Sequence, residues 1–186
     1  TGTDVAKDAA DMILLDDNFT TIECAIREGR RVYRNIQKVI QFLVAGNIAE
    51  IFILLLAVCF GWEMPILAVH ILLINLATDS LPAVALGIDP ADSNVMKQKP
   101  VKSGTLFERG MIFRIVLHGL FISASALSAY WIGQIIYANH AEAMTMTFIV
   151  LSLSQLVHAL NQRSNTDSAF MRKEGQSEKV QKAFLG

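Results

Sequence analysis

Two acids, Glu50 and Asp79, lie inside apolar runs of this sequence, and no Lys or Arg shares either run. A carboxylate at mid-bilayer depth costs roughly 2.5–3.5 kcal/mol on insertion scales, and groups placed there commonly mark ion or proton paths. Around them stand other oxygen donors. Asn47 precedes Glu50 by three residues, and Asn75 and Thr78 precede Asp79 by four and one. On a helix, positions three and four apart share a face. Pro82 follows Thr78 by four residues and has no N–H for the Thr78 carbonyl. A later apolar run adds Ser152, Gln155 and His158 at intervals of three. Two carboxylates, several amide oxygens, a hydroxyl and a backbone carbonyl suit a hard cation such as Ca²⁺, which takes about 6–8 oxygens. No thiolate or imidazole cluster points to zinc or copper.

A competing reading treats each polar residue as interhelical glue, the ordinary role of a lone Asn or Ser in a membrane helix. Ser152 and Ser154 fit it, and His158 and His70 are expected to make interhelical hydrogen bonds. His118, Ser125, Ser128 and the Gly119-x-x-x-Ser123 pair fit close packing between helices. Glue does not account for two acids without basic partners.

The elements that position these residues follow from composition. The chain has 186 residues, 53% hydrophobic and 18% charged, which is too apolar for an ordinary soluble domain. Four apolar spans are expected at about 39–60, 65–88, 115–137 and 143–160, each near the roughly 20 residues that a spanning helix needs. All 16 Lys and Arg lie before the first span, between the second and third, or after the fourth. The other two connections carry Glu63 and Glu142. The positive-inside rule then puts both ends in the cytosol. Trp62, Trp131 and Tyr137 fall near span ends, where amphipathic rings favour the interface.

Residues 1–20 read as α/β structure, with a helix from Val5 to about Asp11 capped by Thr3 or Asp4, then a buried parallel-type strand over Met12-Ile-Leu-Leu15. Residues 21–38 read as a basic helix leading into the membrane, 39–161 as the membrane domain and 162–186 as a polar tail. Cys24 and Cys59 form no metal or disulfide motif. A net charge of −1 suggests no nucleic-acid partner. The chain opens without methionine inside what reads as a folded unit, so it is expected to be part of something larger.

Several segments carry a resemblance in order and spacing. Asn75-Leu-Ala-Thr-Asp-Ser-Leu-Pro-Ala-Val-Ala-Leu-Gly87, with Pro90, Asp92, Met96 and Pro100 beyond it, resembles the sixth transmembrane helix and following loop of P-type ATPases. The similarity is greatest to the endoplasmic-reticulum-like calcium pumps and their bacterial relatives. Thr1-Gly-Thr-Asp-Val-Ala-Lys-Asp-Ala-Ala-Asp-Met-Ile-Leu-Leu-Asp-Asp-Asn-Phe19 resembles the end of that family's phosphorylation domain. Gly29-Arg-Arg-Val-Tyr-Arg-Asn-Ile-Gln-Lys38 resembles its stalk, and Asn47-Ile-Ala-Glu50 its ion-binding stretch in the fifth helix.

The resemblance implies a mainly α, polytopic bundle of four transmembrane helices with a short α/β remnant of the phosphorylation domain. It implies a membrane portion of an ATP-driven pump that exports Ca²⁺ through an aspartyl-phosphate, with ATP and Mg²⁺ bound elsewhere in the parent. Asn47, Glu50, Thr78 and Asp79 match one calcium site, and Asn75 and Asp79 match a second that also draws on a helix absent here. Gln155 falls where two-site calcium pumps carry glutamate, which removes one negative charge. Ser80 stands where animal pumps have glycine. Glu50 and Asp79 would also carry counter-transported protons. The expected surroundings are the lipid bilayer, as a multi-pass protein of a bacterial plasma membrane, and the other domains and helices of the same pump. Two rivals remain open. One is a Na⁺, K⁺ or H⁺ pump, against which Asn75 counts because the sodium–potassium relatives tend to have Asp there. The other is a non-enzymatic four-helix scaffold.

Overall fold

The structure, a computed structural model, describes residues 3–14, 18–90, 95–97, 106–107 and 110–163. It is organised around one long helix. After a short helix α1 (Asp4–Asp8), capped by the Thr3 hydroxyl accepting from the Ala6 N–H, α2 runs unbroken from Phe19 to Phe60. At 1.5 Å per residue its 42 residues extend about 63 Å, roughly twice a hydrocarbon core. The expected basic helix and first span are therefore one rod. Asn18 caps its start by accepting from the Thr20 N–H. Gly61, at φ +66°, ends it, with Trp62 N–H donating to Ala57 O at 2.9 Å and Gly61 N–H to Val58 O at 3.3 Å. Those bonds form a Schellman motif, which needs a residue that tolerates the left-handed region.

The second span has three parts: α3 (Ala68–Leu73), a π-helical segment (Ile74–Asp79) and α4 (Ser80–Gly87). The irregularity expected at Pro82 takes the form of this widened turn just before it. The Ser80 hydroxyl donates to the Asn75 carbonyl at 3.0 Å, bonding to the π segment from within. A short 3-10 turn (Val95–Lys97) follows. The last two spans are α5 (Met111–Tyr137) and α6 (His140–Arg163), joined by a turn in which Asn139 Oδ1 accepts from the Ala141 N–H. All four spans are long and apolar enough to cross a membrane.

Small residues on one face of α2 decide the packing. Ala45, Ala49, Ile53 and Ala57 recur every four residues and are fully buried. Ile122, Ala126 and Leu127 of α5, Leu151 of α6 and Ile74 of the second span close over Ala49 and Ile53, and Met111 and Ile115 of α5 over Ala45. Gly119 lets α5 approach: a Cβ there would lie 2.7 Å from Ile48 Cγ2 and 3.0 Å from the Ala45 carbonyl oxygen. Gly119→Val is expected to destabilise the bundle by about 1–3 kcal/mol through overpacking. The thermal midpoint of the detergent-solubilised protein, which should fall, checks this.

Several expectations need correction. Among the described residues there is no strand: Met12 and Ile13 are exposed and in no regular element. A strand needs a hydrogen-bonded neighbour, and the described residues supply none. Leu15 lies outside the described residues, as do Asp92, Pro100 and the tail from 164. The first helix ends at Asp8 rather than Asp11. Among the described residues His70 makes no interhelical hydrogen bond; its Nδ1 accepts from the Leu67 N–H at the start of its own helix, and its ring packs on Phe148. Ser125 and Ser128 are exposed and bond to carbonyls of their own helix, so they pack between none of the helices described. The two free cysteines are 35 positions apart on one continuous helix, roughly 50 Å, which excludes a disulfide between them.

Candidate cation site

Three elements converge on a buried polar cluster. α2 supplies Glu50, the C-terminal end of the π segment supplies Asp79, and α6 supplies Gln155. Their exposures are 5%, 3% and 0%. Glu50 stands on the small-residue face of α2, one residue past Ala49, so core packing carries it inward. The π turn widens the second span where Asp79 enters the bundle. Gln155 follows Leu151 by one helical turn and shares its buried face.

Most polar atoms of the cluster are left unpaired. Glu50 Oε1, both Asp79 carboxylate oxygens and both polar atoms of Gln155 have no hydrogen-bond partner among the described residues. Eight buried side-chain atoms are in that state, and these three residues hold five of them. Native interiors leave few polar groups unpaired, and an unpaired buried charge is the most costly kind. Asp79 lies near enough to Glu50 for their like charges to interact, and neither forms a salt bridge among the described residues. The arrangement is suited to a positive ligand held by oxygens. Among the described residues no group of three or more His, Cys, Asp or Glu comes together, so any cation here must also use amide, hydroxyl or carbonyl oxygens.

Gly46, one turn before Glu50, shapes the cluster. A Cβ there would lie 3.1 Å from Gln155 Nε2 and 3.6 Å from Asp79 Oδ2. The missing side chain is what allows the amide and the carboxylate to reach the α2 backbone. The sequence signal was a glycine four residues before an acid within a span, which is weak by itself.

The remaining sequence candidates lie further out. Thr78 is half-buried, while Asn47 and Asn75 are exposed. Asn75 still lies beside the Glu50 side chain. Asn47 is not brought into the buried cluster. Among the sequence's glue residues, Ser152 Oγ is buried and finds no partner among the described residues. Among the described residues His158 pairs by ring contact rather than by an interhelical hydrogen bond. Its ring meets His118 at 4.7 Å and Phe42 at 6.1 Å, and its Nε2 lies 3.5 Å from Gln162 Nε2 on its own helix.

Two further polar groupings were not anticipated. At one end of the bundle, His140 Nδ1 lies 3.0 Å from Glu63 Oε2, and the Tyr130 hydroxyl donates to the Glu63 carbonyl at 3.3 Å. Beside them Trp62 meets Trp131 edge-on at 5.0 Å, which suits rings at an interface. At the other end, Asp89 is held by Lys38 and Arg163.

Known proteins resemble this chain along most of its length. Residues 63–184 match the family described as cation transporting ATPase, C-terminus. The chain is 44% identical to calcium-transporting ATPase 1 of Bacillus cereus, in an alignment covering 91% of this chain and 21% of that protein. It is 43% identical to the calcium-transporting ATPase of Bacillus subtilis, over 92% of this chain and 19% of the relative. It is 35% identical to human calcium-transporting ATPase type 2C member 1, over 91% and 19%. The chain thus spans about a fifth of the length of these relatives. The chain, a four-span helical bundle whose residues 63–184 match that family's model, belongs to the cation transporting ATPase C-terminus family.

Proposed function

We propose that this chain is the C-terminal membrane part of an ATP-driven calcium pump and that its cluster binds the transported Ca²⁺. The observation that carries the reading is the buried trio Glu50, Asp79 and Gln155, in which Glu50 Oε1, both Asp79 carboxylate oxygens and the Gln155 amide oxygen have no partner among the described residues. Two carboxylates balance a divalent charge. Gln155 offers an amide oxygen, Thr78 and Asn75 would add further oxygens, and Asn47, which lies outside the buried cluster of this chain, would join them only alongside the pump's other helices. Asn47 and Asn75 are exposed because they face helices from elsewhere in the pump. The second span fits this: 17% of its apolar window is buried, against 33–39% for the others. The rest of its surface meets lipid and neighbouring helices.

In this reading residues 1–20 complete the phosphorylation domain, and the first half of α2 is a stalk that carries its movements to Glu50. A continuous helix transmits displacement better than two helices joined by a loop. ATP and Mg²⁺ act in the rest of the protein, and Glu50 and Asp79 take up protons when the cation leaves. Both ends of the chain lie in the cytosol of a bacterial cell, and the pump exports calcium across the plasma membrane.

The test uses the intact pump that contains this segment, reconstituted into vesicles. ATP-driven uptake is measured with Ca²⁺, Na⁺ and K⁺ supplied separately, along with proton movement. Uptake that requires Ca²⁺ is expected. Transport that follows Na⁺, K⁺ or H⁺ with no response to Ca²⁺ would overturn the assignment, and so would a parent protein that does not hydrolyse ATP.

A further inference from the structure

The three elements that carry Glu50, Asp79 and Gln155 meet a second time, at the end of the bundle where the first half of α2 emerges. One carboxylate joins them. Asp89, just past α4, accepts from Arg163 Nε of α6 at Oδ1, 3.0 Å away, and from Lys38 Nζ of α2 at Oδ2, 3.4 Å away. Lys38 Nζ also donates to the Arg163 carbonyl at 2.8 Å. Asn35, one turn earlier on α2, donates through Nδ2 to the Gly87 carbonyl at 3.1 Å and to the Asp89 carbonyl at 2.8 Å. Asn35 is 3% exposed, and the Asp89 and Lys38 side chains are 11% and 14% exposed.

These are not ordinary surface ion pairs. An exposed pair contributes little because water screens it. Here both oxygens of a largely buried carboxylate are used, each by a cation from a different helix, and such charge-assisted bonds are the stronger kind. Asn35 meanwhile satisfies carbonyls that the end of α4 would otherwise leave open.

We infer that Asp89 is a positioning residue for cation binding: by tying α2, α4 and α6 together through Lys38 and Arg163, it holds in register the helices that carry Glu50, Asp79 and Gln155. The inference rests on the proposed cation site. Asp89 does not touch the cation. Lys38 is twelve residues from Glu50 and Arg163 eight from Gln155, about 18 Å and 12 Å along their helices. Rigid helices with one shared pin transmit a shift at one end to the other. A site ligated from three helices tolerates little relative displacement among them.

The experiment measures equilibrium binding of radiolabelled Ca²⁺ to the intact pump, together with its thermal midpoint in a calcium chelator. Asp89→Asn is expected to weaken binding about tenfold, equivalent to about 1.4 kcal/mol. Arg163→Gln, at an arginine whose side chain is 65% exposed, should weaken it in the same direction while the protein remains folded. The double variant should be no weaker than Asp89→Asn, because both changes break one connection. Asp89→Glu should recover most of the affinity. A staple with a purely structural role would lower the midpoint in chelator and leave the affinity within twofold, and that result would overturn the inference. If the wild-type pump binds no Ca²⁺, the calcium reading falls instead, and the same comparison is made with the cation that drives its transport.

Discussion

Asp79→Asn in the intact pump is expected to reduce calcium binding by at least about a hundredfold and to abolish measurable uptake. Asp79 is 3% exposed, and neither of its oxygens has a partner among the described residues. A bound divalent cation would supply the missing counter-charge. Replacing the carboxylate by an amide removes one of the two negative charges that balance it. Deleting one partner from a buried charge pair costs about 3–5 kcal/mol, and each 1.4 kcal/mol is tenfold in affinity. Glu50→Gln should have a similar effect, since it removes the other charge.

The same substitutions should act in the opposite direction on the cation-free protein. Without a ligand, two buried acids lie near each other with no protein counter-charge, so like-charge repulsion or the uptake of protons costs the wild type stability, and an amide removes that cost. The thermal midpoint of Asp79→Asn in chelator should therefore lie above that of wild type. Adding calcium should then raise the wild-type midpoint and leave the variant unmoved, because only a bound ligand shifts folding by mass action. Calcium uptake, binding and the two midpoints together form the check. A variant with normal uptake would sink the site assignment. A variant less stable than wild type in chelator would show instead that Asp79 has a structural partner outside this chain.

The legible parts of this molecule were those written in local chemistry. Each span is an apolar run free of Lys and Arg, so the four helices could be read directly. Glu50 and Asp79 stood out because an acid in such a run has no bland explanation. Gln155 was visible as one polar member of a face and gained its place through the family resemblance.

What escaped depended on contacts between distant segments. Met12 and Ile13 have strand-like composition, yet a strand is completed by its neighbours, and the described residues offer none. In the sequence Lys38, Asp89 and Arg163 are single charges close to three different span ends. Only the packing of α2, α4 and α6 makes them one connection. His118 and His158 lie forty residues apart and meet ring to ring only once α5 packs on α6. Asn47 shows the converse limit. Its spacing from Glu50 puts it on the neighbouring strip of α2, but the helix is rotated so that Glu50 is buried and Asn47 exposed. Three residues correspond to about 300° of rotation, so the two side chains diverge by about 60°.

Gly46 allows a graded test of how closely the cluster is fitted to its ligand. The position is buried on α2, and an added Cβ would lie 3.1 Å from the Gln155 amide nitrogen and 3.6 Å from an Asp79 oxygen. The first contact is tighter than ordinary packing, but it involves the end of a flexible side chain that can give way by a few tenths of an ångström. Gly46→Ala should therefore displace Gln155 slightly and weaken calcium binding by less than about tenfold. Gly46→Leu cannot be accommodated in that way, because its branched end must occupy the space between Gln155 and Asp79. Overpacking of this kind costs about 1–3 kcal/mol in a well-packed core. Here it also displaces a ligand, so binding should fall by at least about a hundredfold. If the side chain fills the site without unfolding the bundle, the chelator midpoint of Gly46→Leu should change far less than its affinity, since apolar atoms then cover oxygens that had no protein partner. The order wild type, Ala, Leu in calcium affinity, with no matching order in chelator stability, is the expected pattern. Equal affinities for all three would place the cation away from Gly46 and separate Gln155 from the site.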